Sequence, residues 1–431
     1  MNLQKSFNLI IIGGGAAGIM AAISAKKYHP DYSVAIIDRT FALGRKILVC
    51  GAGRCNVTNV NLDITTEERY YGANPEFVKS IFDQFGYKDI LSFFQDLGVE
   101  LYIERKTDIG KLFPTTDQAK TITALLEDEL DRLNISIFLN TEVTEINKDN
   151  QFKIHSREID QEQKTINEIT FESKFLILSA GGKTYPALGS NGSGYLLAKA
   201  LGHHIVTPVP SALPLTSKNP LLNDLQGVKM EMEVTSIIEG KEVKKRKDDV
   251  MFTQYGLSGP AILNISREIS IHINRFNKGG VKVRLNFFPG KTKEDVKLLL
   301  NERWVKRPNQ TLEKSLFGIF PNKIPSVLLK GISLNKDIQV RDISEKQSDQ
   351  LSNMLTSYTV DITGTRSWNE AEFTAGGVDT KEIKLESLES LKVSKLYFCG
   401  EILDVDGDVG GYNLSWAWSS GYVSGKLLSN E

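Results

Sequence analysis

"FNLIIIGGGAAGIMAAISAKK", residues 7–27, decides the fold. Leu9 to Ile12 is a short continuous apolar run, the pattern of a strand buried on both faces. Gly13, Gly15 and Gly18 then meet the GxGxxG spacing, with Ala16 and Ala17 between them, and a helix-forming stretch follows. Strand, tight turn and helix in this order suit a dinucleotide. The backbone turns sharply, approaches a pyrophosphate with no Cβ in the way, and lays the helix on the strand. The helix N-terminus then offers free N–H groups and a partial positive charge to the phosphates. A second apolar run, "SVAIID" (33–38), ends in Asp38, 20 residues after Gly18, where an acid takes the ribose hydroxyls of an adenosine.

NAD and FAD both use such a turn, and the next segment chooses between them. A chain using only NAD would continue its alternation of strands and helices. Instead "RTFALGRKILVCGAGRCNVTN" (39–59) reads as a long irregular segment rich in Gly, Arg, Lys and Asn. A loop of this length inside a compact domain is functional as a rule, and this composition suits a backbone clasping an extended, charged FAD. The other end of the chain agrees. "KLYFCGEILDVDGDVGGYNLSWAWSSGYVSGKLL" (395–428) reads as a strand, Gly400-Glu401, an acidic loop, the pair Gly410-Gly411, and a helix from about Asn413. An acid there can hold the ribityl hydroxyls, and the Gly411–Leu414 turn can face the flavin pyrimidine, where a helix dipole favours the charge of the reduced ring. Asp404, Asp406 and Asp408 have part of a calcium-loop spacing but lack the closing glutamate, so no metal is expected.

Composition limits the rest. With 431 residues, two or three domains are expected. A formal net charge of -1 gives no global pull toward nucleic acid or an anionic membrane, and 3 cysteines make no disulfide framework. The apolar run near residue 10 is too short for a signal peptide, and no apolar run reaches the ~18 residues of a membrane span. The reading is a cytoplasmic protein with neither membrane nor nucleic acid as partner; oligomeric state is not legible.

Several stretches carry a family resemblance: "GGGAAG" (13–18), "GRKILVCGAGRCNVTN" (44–59), "GKLFPTTDQAKTI" (110–122), "LSAGGKTYPALGSNGSGYLLAKALGH" (178–203), "FTQYGLSGPAILNIS" (252–266), and most of residues 375–425. In these the chain resembles the BaiN-like or aminoacetone-oxidase-like NAD(P)/FAD-dependent oxidoreductases. The resemblance implies an α/β, Rossmann-type FAD-binding domain of the two-dinucleotide-binding flavoprotein type, interrupted by an inserted β-rich domain and a helical cap. The expected boundaries are 1–190 and 358–431 for the FAD domain, 191–290 and 335–357 for the inserted domain, and 291–334 for the cap. Period-2 alternation in "GVKMEMEVTSII" (227–238) and helical spacing after Thr292 and near Ser344 support that division.

The expected cofactor set is Gly13, Gly15, Ala16, Ala17, Gly18, Asp38 and Arg39 at the first turn, then Arg45, Lys46, Gly53, Arg54, Asn56 and Thr58 in the following loop. Val143 and the returning strand end Ala180-Gly181-Gly182 join it, as do Gly400, Glu401, Asp404, Asp406, Gly410, Gly411, Tyr412, Asn413 and Leu414. Arg54, Cys55 and Tyr185 are the catalytic candidates. Cys50 and Cys55 raise the question of a redox dithiol. The chain has no second strand–GxGxxG–helix unit for a nicotinamide, however, and "CGAGRC" suits a loop. The family as a rule has Ser at position 50, so the Cys50 sulfur most simply replaces a hydroxyl.

The expected function is an FAD-dependent oxidoreductase that passes a hydride through flavin N5. The resemblance suggests reduction of an activated C=C bond in a small organic substrate, fed by transiently bound NADH or NADPH or another donor, with oxidation of a small amine as the alternative. An RNA-directed flavoenzyme and a non-catalytic flavin-binding protein are the readings from other classes.

Overall fold

The structure is a computed structural model describing residues 3–62, 69–104, 110–160 and 162–427. The chain divides into two compact units, Met1–Pro208 with Phe373–Glu431, and Val209–Glu372.

The first unit contains β1 (Leu3–Ile12), α1 (Ala16–Tyr28), β2 (Val34–Ile37), α2 (Arg45–Val49), β3 (Ser136–Phe138), β4 (Thr141–Lys148), β5 (Phe152–Ile159) and β6 (Thr165–Leu178). Its main sheet runs β3-β2-β1-β6-β5-β4, with the strand Leu396–Phe398 pairing parallel to the end of β6. β3, β2, β1 and β6 are parallel neighbours, while β5 and β4 fold back antiparallel. Leu9, Ile10 and Ile11, Ala35 and Ile36, and Leu176, Ile177 and Leu178 are fully buried, as unbroken apolar runs in a parallel sheet require. The register sets Ile12 beside both Ile37 and Leu178, so the three strand ends, with the turn after β1, Asp38 and Ser179–Gly182, meet at one edge. Open α/β sheets bind ligands at that edge.

The C-terminal helix, Tyr412–Gly425, lies directly on α1. Two glycines allow it: a Cβ on Gly421 would stand 2.3 Å from the Ala17 carbonyl oxygen, and one on Gly425 would stand 2.4 Å from that of Ala21. The first and last segments of the chain thereby form one wall.

The second unit contains β7 (Leu215–Thr216), β8 (Lys229–Ile238), β9 (Lys241–Thr253), β10 (Gly256–Ser258), α3 (Pro260–Ser270), β11 (Val281–Asn286), α4 (Lys293–Lys306), α5 (Lys323–Gly331), α6 (Glu345–Ser357), β12 (Tyr358–Ile362) and β13 (Gly364–Thr365). Its sheet runs β12-β11-β8-β9-β10-β7-β13. In β8, Met232 and Val234 are buried and Glu231 is exposed, the predicted alternation. Glu239 and Gly240, both at positive φ, close the β8–β9 hairpin. Lys245 pairs with Glu233 at 2.8 Å and Lys247 with Glu231 at 3.2 Å, so the basic run is a charge-compensated, solvated face. Thr292 and Ser344 open α4 and α6 with capping boxes.

The unit boundaries fall at 208/209 and 372/373, where the sequence reading placed 190/191 and 357/358. The helix Ser193–Ala200 stays with the first unit because Leu197 and Ala198 enter its core. β12 pairs with β11 in the second unit. Residues 291–334 make no separate cap: Val296, Leu300, Ile324 and Leu328 share one core with Met232, Val234 and Leu285.

Candidate functional site

The turn after β1 separates its glycines by role. Gly13 has φ +107°, and a Cβ there would meet the Ser179 carbonyl oxygen at 2.5 Å; one on Gly18 would meet the Gly13 oxygen at 1.9 Å. Both glycines are required by the turn itself. Around Gly15 a Cβ would meet nothing within 4 Å, leaving open space before the first turn of α1. Ser179 Oγ donates to Gly13 O at 2.8 Å and fixes the turn from β6. Asp38 Oδ2 accepts from Gly14 N at 2.7 Å and its Oδ1 from Thr40 N at 2.7 Å, which holds a half-buried carboxylate at the strand edge. Arg39 reaches Glu142 at 3.6 Å, next to the buried Val143 of β4.

The segment expected to be wholly irregular contains α2, entered through Gly44 at φ +62°. Arg45 lies over the Phe41 ring at 4.5 Å. Lys46 Nζ donates to Glu401 Oε2 at 2.6 Å and to Thr184 Oγ1 at 3.2 Å, while Glu401 Oε1 accepts from Thr374 N at 2.8 Å. Gly182 is there because a Cβ would stand 2.8 Å from the Glu401 carboxyl. Arg54 Nη1 donates to Glu104 Oε1 at 3.0 Å and the guanidinium lies 4.0 Å from the Phe113 ring centroid. Burial opposes the Arg54 charge, and Glu104 together with Tyr102 outweighs it, so the group stays charged. Lys46 and Arg54, expected beside the pyrophosphate and ring edge, thus each carry a protein carboxylate of their own.

Residues 55–59 are tied to the start of the C-terminal helix. Thr58 Oγ1 and Ser415 Oγ are 2.8 Å apart, Asn59 Nδ2 donates to Gly410 O at 2.8 Å, and Trp418 Nε1 donates to Val57 O at 3.1 Å. Gly411, at φ +101°, must be glycine, since a Cβ would stand 2.6 Å from Thr58 O. Tyr70 OH donates to Tyr412 O at 2.6 Å, and the Asn413 amide bridges Gly407 N and O at 2.9 and 2.8 Å. Leu414 is half-buried on the helix's first turn. Gly400, at φ +75°, faces Ala17. In the acidic loop Asp404 Oδ1 accepts from Gly376 N at 3.0 Å, Asp408 takes Arg69 and Tyr71 at 3.0 Å each, and Asp406 is buried. Among the described residues no His, Cys, Asp and Glu cluster could hold a metal.

Ala180 and Gly181 complete the edge, Gly181 with its Cβ direction filled by Ser190 Oγ, while Gly53 lies in the turn after α2, its carbonyl accepting from Ala119 N at 2.8 Å. Tyr185 is half-buried in the left-handed region at φ +55°, opening a short turn over Pro186–Leu188. The sequence reading missed Asn59, Ser179, Thr184, Thr374, Tyr70 and Ser415; the spaced polar residues of "CNVTN" were the available signal for Asn59.

Cys55 is fully buried at φ +64°, and burial, with Cys50 adding to it, holds its thiol well above the ordinary range. Burial also pushes Cys399 up to about 12. A buried, protonated thiol is a poor nucleophile, and no disulfide joins Cys50, Cys55 and Cys399. A thiol reagent on the native protein is therefore expected to modify Cys50 rapidly and the other two only after denaturant. Rapid native reaction of Cys55 would reopen the dithiol.

His203 ends beside the helix Ser193–Ala200 with Nδ1 3.1 Å from Glu382 Oε2 and Nε2 2.9 Å from Ser390 Oγ. Ser390 Oγ already accepts from Val393 N at 2.9 Å, so its proton goes to Nε2 and the neutral His203 donates through Nδ1. His203 and Ser390 are buried and Glu382 is half-buried, and the His203 ring packs edge-on against Phe398 at 4.8 Å. Burial depresses the His203 pKa against the opposing pull of Glu382. A depressed histidine stabilises the fold above its unfolded pKa of about 6.5, and that stability is lost as pH falls from there through the lower folded-state pKa. Denaturation midpoints from pH 8 to 5 should fall less steeply in His203→Gln than in the wild type; equal slopes would remove His203 as the source.

The site fits FAD: Gly15 faces open space, Asp38 stands at the β2 end, and Asn56 Oδ1 is buried with no partner. The HI0933-like protein Rossmann domain family matches residues 7–427. The chain belongs to this family. HI0933-like proteins of this type are FAD-dependent oxidoreductases, and this chain is an enzyme of that class. It is 34% identical over 422 residues to the 3-dehydro-bile acid delta(4,6)-reductase of Clostridium scindens, covering 98% of both chains. It is 33% identical over 426 residues to the ribosomal RNA dihydrouridine synthase of Escherichia coli, covering 99% of this chain and 98% of that one. Among solved structures, the 3-ketosteroid-delta4-(5alpha)-dehydrogenase of Rhodococcus jostii matches with a TM-score of 0.51 at 13% identity, over 99% of this chain and 96% of that chain, a likeness of fold. Among the described residues no helix is long and apolar enough to cross a membrane.

Proposed function

We propose that this HI0933-like protein reduces a C=C bond conjugated to a carbonyl, with NADH or NADPH as the donor and a small organic molecule as the substrate. One observation carries the reading: full-length similarity to two enzymes whose names describe the same chemistry. A delta(4,6)-reductase of a 3-dehydro compound saturates a bond conjugated to a ketone, and making dihydrouridine saturates the uracil bond conjugated to a carbonyl.

Bound FAD supplies a carrier that accepts and delivers hydride at N5. The chain's own residues do the rest. The Gly13–Gly18 turn and the start of α1 receive the pyrophosphate, and Asp38 receives the ribose. Asn56 and the start of the C-terminal helix hold the pyrimidine edge, where the helix dipole favours the negative charge of the reduced state. The internal pairs Lys46–Glu401 and Arg54–Glu104 fix the loop without adding net charge to it.

Uridine in ribosomal RNA is the second reading, favoured by the similarity to dihydrouridine synthases from Escherichia coli and, at 31% identity, Haemophilus influenzae. The formal net charge of -1 favours the small molecule. The test is anaerobic stopped-flow. NADH or NADPH should bleach the flavin, and a steroid-like dienone should restore its colour, whereas a colour restored by uridine-containing ribosomal RNA alone selects the second reading. Bleaching by primary amines but by neither nicotinamide would reject both in favour of an amine oxidase.

A further inference from the structure

We propose that Asn56 reads the imide edge of the flavin, its side-chain oxygen accepting the hydrogen bond of the pyrimidine N3–H. The inference rests on the reading that the flavin ring lies at the start of the C-terminal helix.

Residues 56–59 form one strip against that helix, and their polar groups differ in one respect. The Val57 carbonyl takes Trp418 Nε1, the Thr58 hydroxyl meets Ser415, and Asn59 Nδ2 donates to Gly410 O. Asn56 Oδ1 is buried with no partner in a residue only 6% exposed. A buried amide oxygen left unmet carries a desolvation penalty, and native structures satisfy nearly all such groups. The oxygen therefore waits for a donor from outside the chain.

Its place says which donor. It stands 3.1 Å from where a Cβ on Gly411 would be, and Gly411 caps the 14-residue helix Tyr412–Gly425. The first N–H groups of a helix have no intrahelical acceptors and carry a partial positive charge. Turning the amide over would set its NH2 against that positive end, so the oxygen orientation is the favoured one. The site thus presents one acceptor beside several donors. Phosphate or carboxylate would suit the helix but set an anion against the amide oxygen. The complement is a donor flanked by carbonyls, C=O, N–H, C=O. The flavin pyrimidine and the uracil base both carry that edge. The flavin is assigned because Asn56 belongs to the loop that follows the dinucleotide turn and is tied, residue by residue, to the helix that forms the site's other wall.

The test uses apoprotein titrated with FAD and with 3-methyl-FAD, in which a methyl replaces the N3 proton, and reads affinity by quenching of flavin fluorescence. The wild type should bind 3-methyl-FAD about tenfold more weakly or worse. Asn56→Ala should bind the two alike, because it lacks the acceptor and leaves room for the methyl. Equal binding by the wild type, or a preference that survives in Asn56→Ala, would overturn the assignment. If Asn56→Ala does not fold, Asn56→Asp, an acceptor of the same shape, should keep the preference for FAD, and its loss there would count against the assignment. Uridine titrated into the holoprotein should leave the flavin spectrum unchanged. A uridine-dependent shift that vanishes in either variant would move the acceptor from cofactor to substrate and overturn the proposal. Failure of wild-type apoprotein to bind either flavin would instead reject the placement of the cofactor on which the inference rests.

Discussion

Gly15→Asp is expected to give a protein that is more stable without FAD and binds FAD about 100-fold more weakly or worse. Gly15 is the N-cap of α1, in extended backbone at φ -79° and ψ -173° that any residue can adopt, with no side-chain cap at present and nothing within 4 Å of a Cβ. Aspartate there would accept from the first-turn N–H groups, worth about 1 kcal/mol as a cap. That gain should raise the apoprotein's Tm by roughly 2–4 °C. The same carboxylate would occupy the donors the pyrophosphate needs and set like charges about 4 Å apart, where each pair opposes binding by roughly 4 kcal/mol at an effective dielectric constant near 20. Calorimetry of the apoprotein and FAD titration read the two effects separately. An unchanged FAD affinity would mean that the phosphates do not lie at this turn.

Gly421→Val should strongly destabilise the first unit. Even Gly421→Ala sets two effects against each other. Alanine improves helix propensity by about 1 kcal/mol. It also drives a carbon to 2.3 Å from the Ala17 carbonyl oxygen, a backbone atom that cannot swing aside. Overpacking of this kind costs about 1–3 kcal/mol and sometimes more, so alanine should be net destabilising and valine, β-branched and larger, should cost about 3 kcal/mol or more. Gly279, where a Cβ would meet nothing within 4 Å, is the control: Gly279→Ala should leave the denaturation midpoint within error. If Gly421→Val unfolds no earlier than Gly279→Ala, α1 and the C-terminal helix are not in backbone contact.

The parts legible in the sequence share a physical cause. Parallel strands buried on both faces write continuous apolar runs, so Leu9–Ile12 and Phe175–Leu178 announced themselves. A turn that excludes Cβ atoms writes glycine, and Gly13, Gly18 and Gly411 each prove to be a steric requirement. α2 was not legible, because five residues carry no periodicity and its entry depends on the positive φ of Gly44. The unit boundaries were hidden for another reason: β12 and the helix Ser193–Ala200 are assigned by their long-range partners, which local composition does not record. Charge compensation in the site was invisible in the same way. Lys46 meets a carboxylate 355 residues away and Arg54 one 50 residues away, so both looked like free cations.

The split first unit also orders events on the ribosome. Val209–Glu372 is one uninterrupted stretch, whereas the wall that α1 shares with Tyr412–Gly425 joins residues from opposite ends of the chain. Domains fold as units while synthesis proceeds. The internal unit can therefore be finished while the unit that began translation still lacks a helix. Nascent chains arrested shortly after Glu372 has left the exit tunnel should resist protease across 209–372 and retain no FAD, and cofactor capture should begin only once Tyr412–Gly425 has emerged.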